Sequence, residues 1–271
     1  MKELIKRRPF ISFVVLAISI TAFLIFPIIL NNRGFYPIEL PNHWEALGAF
    51  GPFLAGIIVA YVIAGKKGVK RLFTGLTHWR VGWFWVLFTC LTPYLFFWAA
   101  AFQVQLTSGS LPEFSLISTS YLATTAGFIK LVFFGSIIQS LGEEPGWRGQ
   151  YADGMLENYS AFKTAAVMGP LWILWHVPAF LTRPEFGLIQ FAGISAGLFF
   201  ASFWLTLIYV KTRSILMVFI WHALLNMTRF ATQQISTSFF LAYATPVILG
   251  GIVIGVYFLI YKPTYKDKQL D

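Results

Sequence analysis

Residues 10–30 read FISFVVLAISITAFLIFPIIL, a run without a charged side chain. A helix needs about 20 mostly apolar residues to cross the hydrocarbon core of a bilayer, and this run is long enough. Runs of the same kind recur along the whole chain. We predict eight spanning helices, at about 10–30, 45–65, 81–102, 121–147, 162–181, 188–210, 214–233 and 237–260.

The composition also favours a membrane protein over a soluble one. Hydrophobic residues make up 57% of the 271 residues and charged residues only 11%, whereas a soluble domain carries about 25% charged residues. We therefore predict an all-α fold, a polytopic transmembrane helix bundle in the lipid bilayer, with residues 1–271 as a single membrane domain. The one cysteine, Cys90, lies in an apolar run, so no disulfide can form within the chain.

The basic residues are distributed unevenly between the two sides of such a bundle. An even number of spans places both termini on one side, and the positive-inside rule assigns the side rich in Lys and Arg to the cytoplasm. Arg33, Arg183 and Arg229 fall on or near the other side, and Lys130 falls within a span. The cytoplasmic side then holds most of the 20 Lys and Arg residues, namely Lys2, Lys6, Arg7, Arg8, Lys66, Lys67, Lys70, Arg71, Arg80, Arg148, Lys163, Lys211, Arg213, Lys262, Lys266 and Lys268.

This asymmetry explains the net charge of +9 by the orientation of the chain in the membrane. We therefore predict no nucleic-acid partner. The first apolar run is too long for a signal-peptide core, so we expect a retained helix. The Phe- and Ile-rich composition suggests a bacterial cell membrane, with both termini cytoplasmic.

Ionisable groups within spans are costly unless they are paired or hydrated, so they are candidate functional residues. Three helices bring them into one layer only if the fourth helix continues past Arg148. A stop at Gly142, which Pro145 and Gly146 make conceivable, leaves the two glutamates at the interface. The candidates are Glu143, Glu144 and Arg148 around the end of the fourth span, His176 in the fifth, and His222 with Asn226 in the seventh.

Local geometry gives the two glutamates different roles. Successive helical residues point about 100° apart, so Glu143 and Glu144 face different neighbours. Glu144 and Arg148 have the i,i+4 spacing and order of a helical ion pair, which leaves Glu143 to face a reaction centre. His222 and Asn226 share one face of a helix, and the amide carries donors suited to a developing oxyanion.

Two routes of hydrolysis fit these residues. A carboxylate in an apolar site can act as a general base on water, with an imidazole assisting. Alternatively, Glu143, His176 and His222 can hold a zinc ion and leave a coordination position open for water. The two residue sets overlap, so the sequence leaves both routes open, and the cofactor is either none or a divalent metal such as zinc.

Three motifs of this region resemble those of a known family, the CAAX-protease and bacteriocin-processing (CPBP, or Abi) family. They occur in the family's order, on separate predicted helices, within a CPBP-like catalytic core at residues 120–235. The motifs are EExxxR (Glu143, Glu144, Arg148), FxxxH with Trp in the Phe place (Trp172, His176) and HxxxN (His222, Asn226).

The resemblance implies an intramembrane endopeptidase that acts on a membrane-associated peptide or protein. It implies that Glu143 and His176 activate water and that His222 and Asn226 stabilise the oxyanion. It equally matches the family's older description as a metalloprotease. Members include type II enzymes that remove the tail of prenylated CAAX proteins and bacterial proteins linked to bacteriocin self-immunity. Three further residues are expected to be structural: Glu144, Arg148 and Trp172.

Two alternatives to a protease stay open at this point. A catalytically idle member can act as a scaffold or immunity protein that binds a peptide in the same cavity, although the intact motif residues argue against this. A proton-coupled transporter can use a Glu and His relay, but inverted repeats of broken helices, which favour transport, are not evident in the sequence.

Overall fold

The computed structural model describes residues 2–32, 34–35, 40–41, 44–116, 124–182 and 187–263. Of the residues used for the charge pattern, Arg33, Arg183, Lys266 and Lys268 lie outside these ranges. The described residues form nine helices and no strand. The helices are α1 (Lys2–Arg7), α2 (Pro9–Asn32), α3 (Trp44–Thr77), α4 (Trp83–Ser108), α5 (Thr125–Asn158), α6 (Ala161–Leu181), α7 (Leu188–Thr212), α8 (Ile215–Ile235) and α9 (Thr237–Tyr261).

Eight of these helices, α2 to α9, are long and apolar enough to cross a membrane. This confirms the predicted all-α transmembrane bundle, and the chain is an integral, multi-pass membrane protein. The observed bounds of most spans lie close to the predicted ones. Helices α3 and α5 are each considerably longer than predicted.

Helix α3 is longer because a second helical segment follows a kink at Gly65. This residue has a φ of 58° and a ψ of −147°, a conformation that glycine adopts without steric cost. The predicted span, 45–65, ends at this kink. The segment beyond it carries Lys66, Lys67 and Lys70 together with Arg71, which reaches Asp153 on α5.

Helix α5 does not stop at Gly142 but continues to Asn158. It is wound as a π-helix over Ile129–Ile138 and Pro145–Ala152. Proline has no N–H to continue an α-helical ladder, and Pro145 lies where the hydrogen-bond register changes to the π-helical one. The condition on which the predicted site depends is therefore met.

Gly146, the other residue that suggested a stop, is required for helix packing. A Cβ atom at this position would clash with the backbone of Pro52 on α3, and the Gly146 Cα lies close to Gly56. Small residues allow such close approach between membrane helices. Helix α5 also packs against α8, and Trp172 on α6 contacts both Glu143 on α5 and His222 on α8, so the three helices with motif residues meet.

Candidate active site

Glu144 is the centre of a buried ion cluster. Its Oε1 accepts a hydrogen bond from Arg148 Nη1 at 3.1 Å and another from His222 Nδ1 at 2.6 Å. The side chains of Glu144 and Arg148 are both 0% exposed. The ion pair predicted from the i,i+4 spacing is present, and the structure adds His222 as a second partner. Glu144 therefore ties α5 to α8 and fixes the orientation of an imidazole.

Glu143 has a different neighbour from Glu144, as the helical geometry predicts. Its Oε2 accepts a hydrogen bond from Trp172 Nε1 on α6, at 2.7 Å. Both residues are buried, with 3% of Glu143 and 1% of Trp172 exposed. The Arg148 guanidinium carbon lies 4.9 Å from the centre of the Trp172 ring. Trp172 thus contacts both Glu143 and the ion cluster of Glu144.

The two histidines flank the same indole. The ring centres of His176 and His222 lie 5.6 Å and 5.5 Å from that of Trp172, both in edge-to-face geometry. His176 Nδ1 lies 2.8 Å from the Trp172 carbonyl oxygen. Because a carbonyl only accepts, Nδ1 carries the proton and Nε2 is the acceptor of the neutral ring. His176 therefore has the tautomer of a potential base.

Asn226 lies one helical turn after His222 on α8, and it is buried. The two side chains share a face of the helix, as the i,i+4 spacing predicts. The structure thus brings Glu143, His176 and His222 together around Trp172, with Asn226 beside His222. A carboxylate, two imidazoles and an amide grouped in this way can carry general-base catalysis and oxyanion stabilisation.

Comparison with known families identifies the region that contains these residues. Residues 125–228 match the family model of Rce1-like type II CAAX prenyl endopeptidases. This region is similar to the CPBP family. The match spans all three motifs, confirms the resemblance noted from the sequence and supports a protease role. Among curated proteins, none matches the chain.

A metal ion at this site would need donors among its Glu and His side chains. In the described part of the chain, no group of three or more His, Cys, Asp or Glu side chains is placed to hold a metal ion. His176 Nδ1 is bonded to a carbonyl and His222 Nδ1 to Glu144, while one oxygen of Glu143 is bonded to Trp172. A zinc-ligating histidine makes the same kind of bond through its other ring nitrogen, so these bonds exclude neither route of hydrolysis.

A serine route has one sequence pattern in its favour, because residues 193–197 read GISAG and have the GxSxG spacing. In the usual nucleophile elbow this pattern forms a sharp turn between a strand and a helix. Here it lies inside α7, and Ser195 Oγ is buried without a hydrogen-bond partner among the described residues. Among the described residues no histidine is hydrogen-bonded to Ser195, so the candidate site remains the one around Trp172.

A second polar cluster on α5 was not among the predicted residues. Asp153 Oδ1 accepts hydrogen bonds from the Tyr209 hydroxyl at 2.8 Å and from Arg213 Nη2 at 2.6 Å. Arg71 Nη1 lies 3.7 Å from the other carboxylate oxygen. Basic residues beside the ends of the predicted spans were the available signal for this cluster. It joins the segment of α3 after Gly65 to α5 and to the end of α7.

Two contacts within the site could not be predicted from the sequence. The bonds from Trp172 to Glu143 and from His222 to Glu144 join residues that are far apart in the chain. The Trp in the Phe place of the FxxxH motif was the only hint of the first contact, because an indole has a donor that a phenyl ring lacks.

Proposed function

We propose that this chain is an intramembrane endopeptidase in which Glu143 activates water against a peptide bond of a membrane-anchored substrate. The observation that carries the proposal is the convergence of Glu143, His176 and His222 on the single side chain of Trp172. The match to CAAX prenyl endopeptidases supports a substrate with a prenyl or similar lipid-like tail.

The reaction begins with a water molecule held by Glu143 and His176. The carboxylate takes a proton from this water as the oxygen attacks the carbonyl carbon of the scissile bond. The proton then passes to the peptide nitrogen as the C–N bond breaks. The products are a carboxylic acid and an amine, and Glu143 returns to its starting state.

Negative charge develops on the carbonyl oxygen during the attack, and we assign its stabilisation to His222 and Asn226. Because His222 Nδ1 donates to Glu144, the ring can donate to an oxyanion only through a protonated Nε2. Glu144 is then the counterion of this imidazolium, and Arg148 in turn balances Glu144. In this scheme Glu144 and Arg148 are positioning residues.

We infer that the substrate reaches the site from the cytoplasmic leaflet. His222 lies about 10 Å from the start of α8 at 1.5 Å per residue, so the site is shallow from that end. The neighbouring helix ends carry Lys163, Lys211 and Arg213, which the positive-inside rule assigns to the cytoplasm. Cleavage products on the outer side of oriented vesicles would contradict this entry route.

The test is hydrolysis of a mixed library of membrane-anchored peptides, with and without prenyl groups, by purified wild-type protein. His176→Ala is expected to lose at least about 100-fold in rate, the usual contribution of a positioned acid or base, with unchanged thermal stability. His78→Ala, at the start of the segment between α3 and α4, is the matched control and should keep full activity. A well-folded wild-type protein that cleaves neither kind of peptide would favour the scaffold or immunity role instead.

A further inference from the structure

We propose that Trp172 is a positioning residue that aims the Glu143 carboxylate at water, a role that the Phe of the FxxxH motif cannot fill. The inference rests on the proposed function of Glu143 as the base. It concerns the one motif position at which this chain departs from the family pattern.

The hydrogen bond from Trp172 fixes one carboxylate oxygen and leaves the other for water. Within the described ranges, Glu143 receives its hydrogen bond from Trp172 Nε1, on Oε2 at 2.7 Å. The terminal torsion of a glutamate is broad and roughly two-fold, so an unanchored carboxylate samples many orientations. A donor on Oε2 restricts this rotation and presents Oε1 to the water.

The indole itself is held from several sides. Arg148 lies over its ring at 4.9 Å, and the His222 ring meets it edge to face at 5.5 Å. The backbone carbonyl of Trp172 accepts the Nδ1 proton of His176 at 2.8 Å. One residue therefore sets the orientation of the base and of His176 together. A phenyl ring would keep much of the ring packing but would leave the Glu143 oxygen without its donor.

The variant that isolates this contact is Trp172→Phe, which restores the family residue and removes only the donor-bearing ring. We expect kcat to fall about tenfold or more, as for other hydrogen bonds to charged groups, with KM changed less than about twofold. The matched control is Trp204→Phe on α7, which loses a comparable buried bond to the Val247 carbonyl at 3.0 Å. Its kcat should stay within about twofold of wild type, because it lies outside the site.

An NMR measurement tests the contact between Trp172 and Glu143 without relying on turnover. In a protein with ¹⁵N-labelled indoles, the N–H signal missing from Trp172→Phe identifies Trp172. Glu143→Leu should move that signal upfield and leave the Trp204 signal in place.

The proposal would be overturned if Trp172→Phe kept the wild-type kcat, or if Trp204→Phe lost as much of its kcat. It would also be overturned if Glu143→Leu left the Trp172 indole N–H signal unshifted. If wild-type protein cleaves nothing, the function proposed above fails, and the shift of the signal alone decides whether Trp172 holds Glu143.

Discussion

Glu144 and Asp153 are both buried carboxylates of α5, and both are paired with arginine, yet their surroundings differ. The Asp153 cluster is partly exposed, since the side chains of Arg71 and Arg213 are 55% and 20% exposed. The Glu144 cluster is closed, with Glu144 and Arg148 both 0% exposed. One helix thus carries a partly exposed ion cluster near its end and a fully buried cluster one or two turns before it.

The two clusters also differ in how completely their hydrogen bonds are made. Asp153 Oδ1 receives two donors. In contrast, Glu144 Oε2 and Arg148 Nε and Nη2 are buried without a partner among the described residues. Buried charges contribute little to stability even when well paired, because desolvation offsets the attraction. The Glu144 cluster thus keeps unused polar capacity beside His222, which supports the role proposed for it, whereas the bonds of Asp153 suit an anchoring role.

The largest effect should appear in turnover, at Glu143 beside the Glu144 cluster. Glu143→Gln removes the base and is expected to lower the cleavage rate at least about 100-fold with the fold retained. Asp153→Asn should leave kcat unchanged in the folded fraction of the protein. Rates of peptide cleavage, normalised to folded protein from gel filtration in detergent, test both expectations. Substantial activity in Glu143→Gln would remove it as the base.

The next largest effect should be on stability, at Glu144. Glu144→Gln leaves the Arg148 charge buried without its partner, which is expected to cost about 3–5 kcal/mol of unfolding free energy. Adding Arg148→Gln should recover much of this stability, because both charges are then gone. Activity should stay low in the double variant, since His222 has lost its carboxylate. A stable but inactive single variant would reverse the roles of Glu143 and Glu144.

A smaller loss of stability is expected at the other cluster. Asp153→Asn keeps a carbonyl oxygen as acceptor, and its arginine partners can turn to water, so the cost should be about 1–2 kcal/mol. Thermal unfolding in detergent, beside Glu144→Gln, measures the difference. A larger loss for Asp153→Asn than for Glu144→Gln would invert the comparison.

The smallest effect concerns metal. Because Glu143, His176 and His222 are not placed as a ready-made ligand set, a chelator is expected to change the cleavage rate by less than about twofold. Chelation followed by zinc addition, with elemental analysis of the purified protein, checks this. Loss of activity that zinc restores would establish the metal-assisted route.

The sequence predicts much of this fold because the bilayer constrains it so strongly. Each span is recognised in the sequence by an apolar run of the required length. The kink at Gly65 coincides with the predicted end of the second span. The motif residues Glu143, His176 and His222 were also found from the sequence, since ionisable groups are conspicuous in apolar runs. Their assembly required α5 to continue past Gly142, a condition that the sequence left open and the structure meets.

The remaining features depend on contacts that spacing does not encode. Pro145 and Gly146 suggest a helix end by local preference, but packing on Pro52 and a change of winding carry α5 onward. The bond from His222 to Glu144 depends on rotamers set by the whole bundle. Asp153 lay beyond the predicted end of the span, so its cluster could be found only once α5 was known to continue.

The π-helical stretch Pro145–Ala152 separates the two carboxylate clusters along α5. A π-helical turn holds more residues than an α-helical turn, so each residue there advances less around the helix axis. The direction around the helix axis in which Asp153 faces, relative to Glu144, is therefore set by the winding between them. The stretch thus acts as a fixed rotational offset, which allows one continuous helix to serve two differently facing clusters.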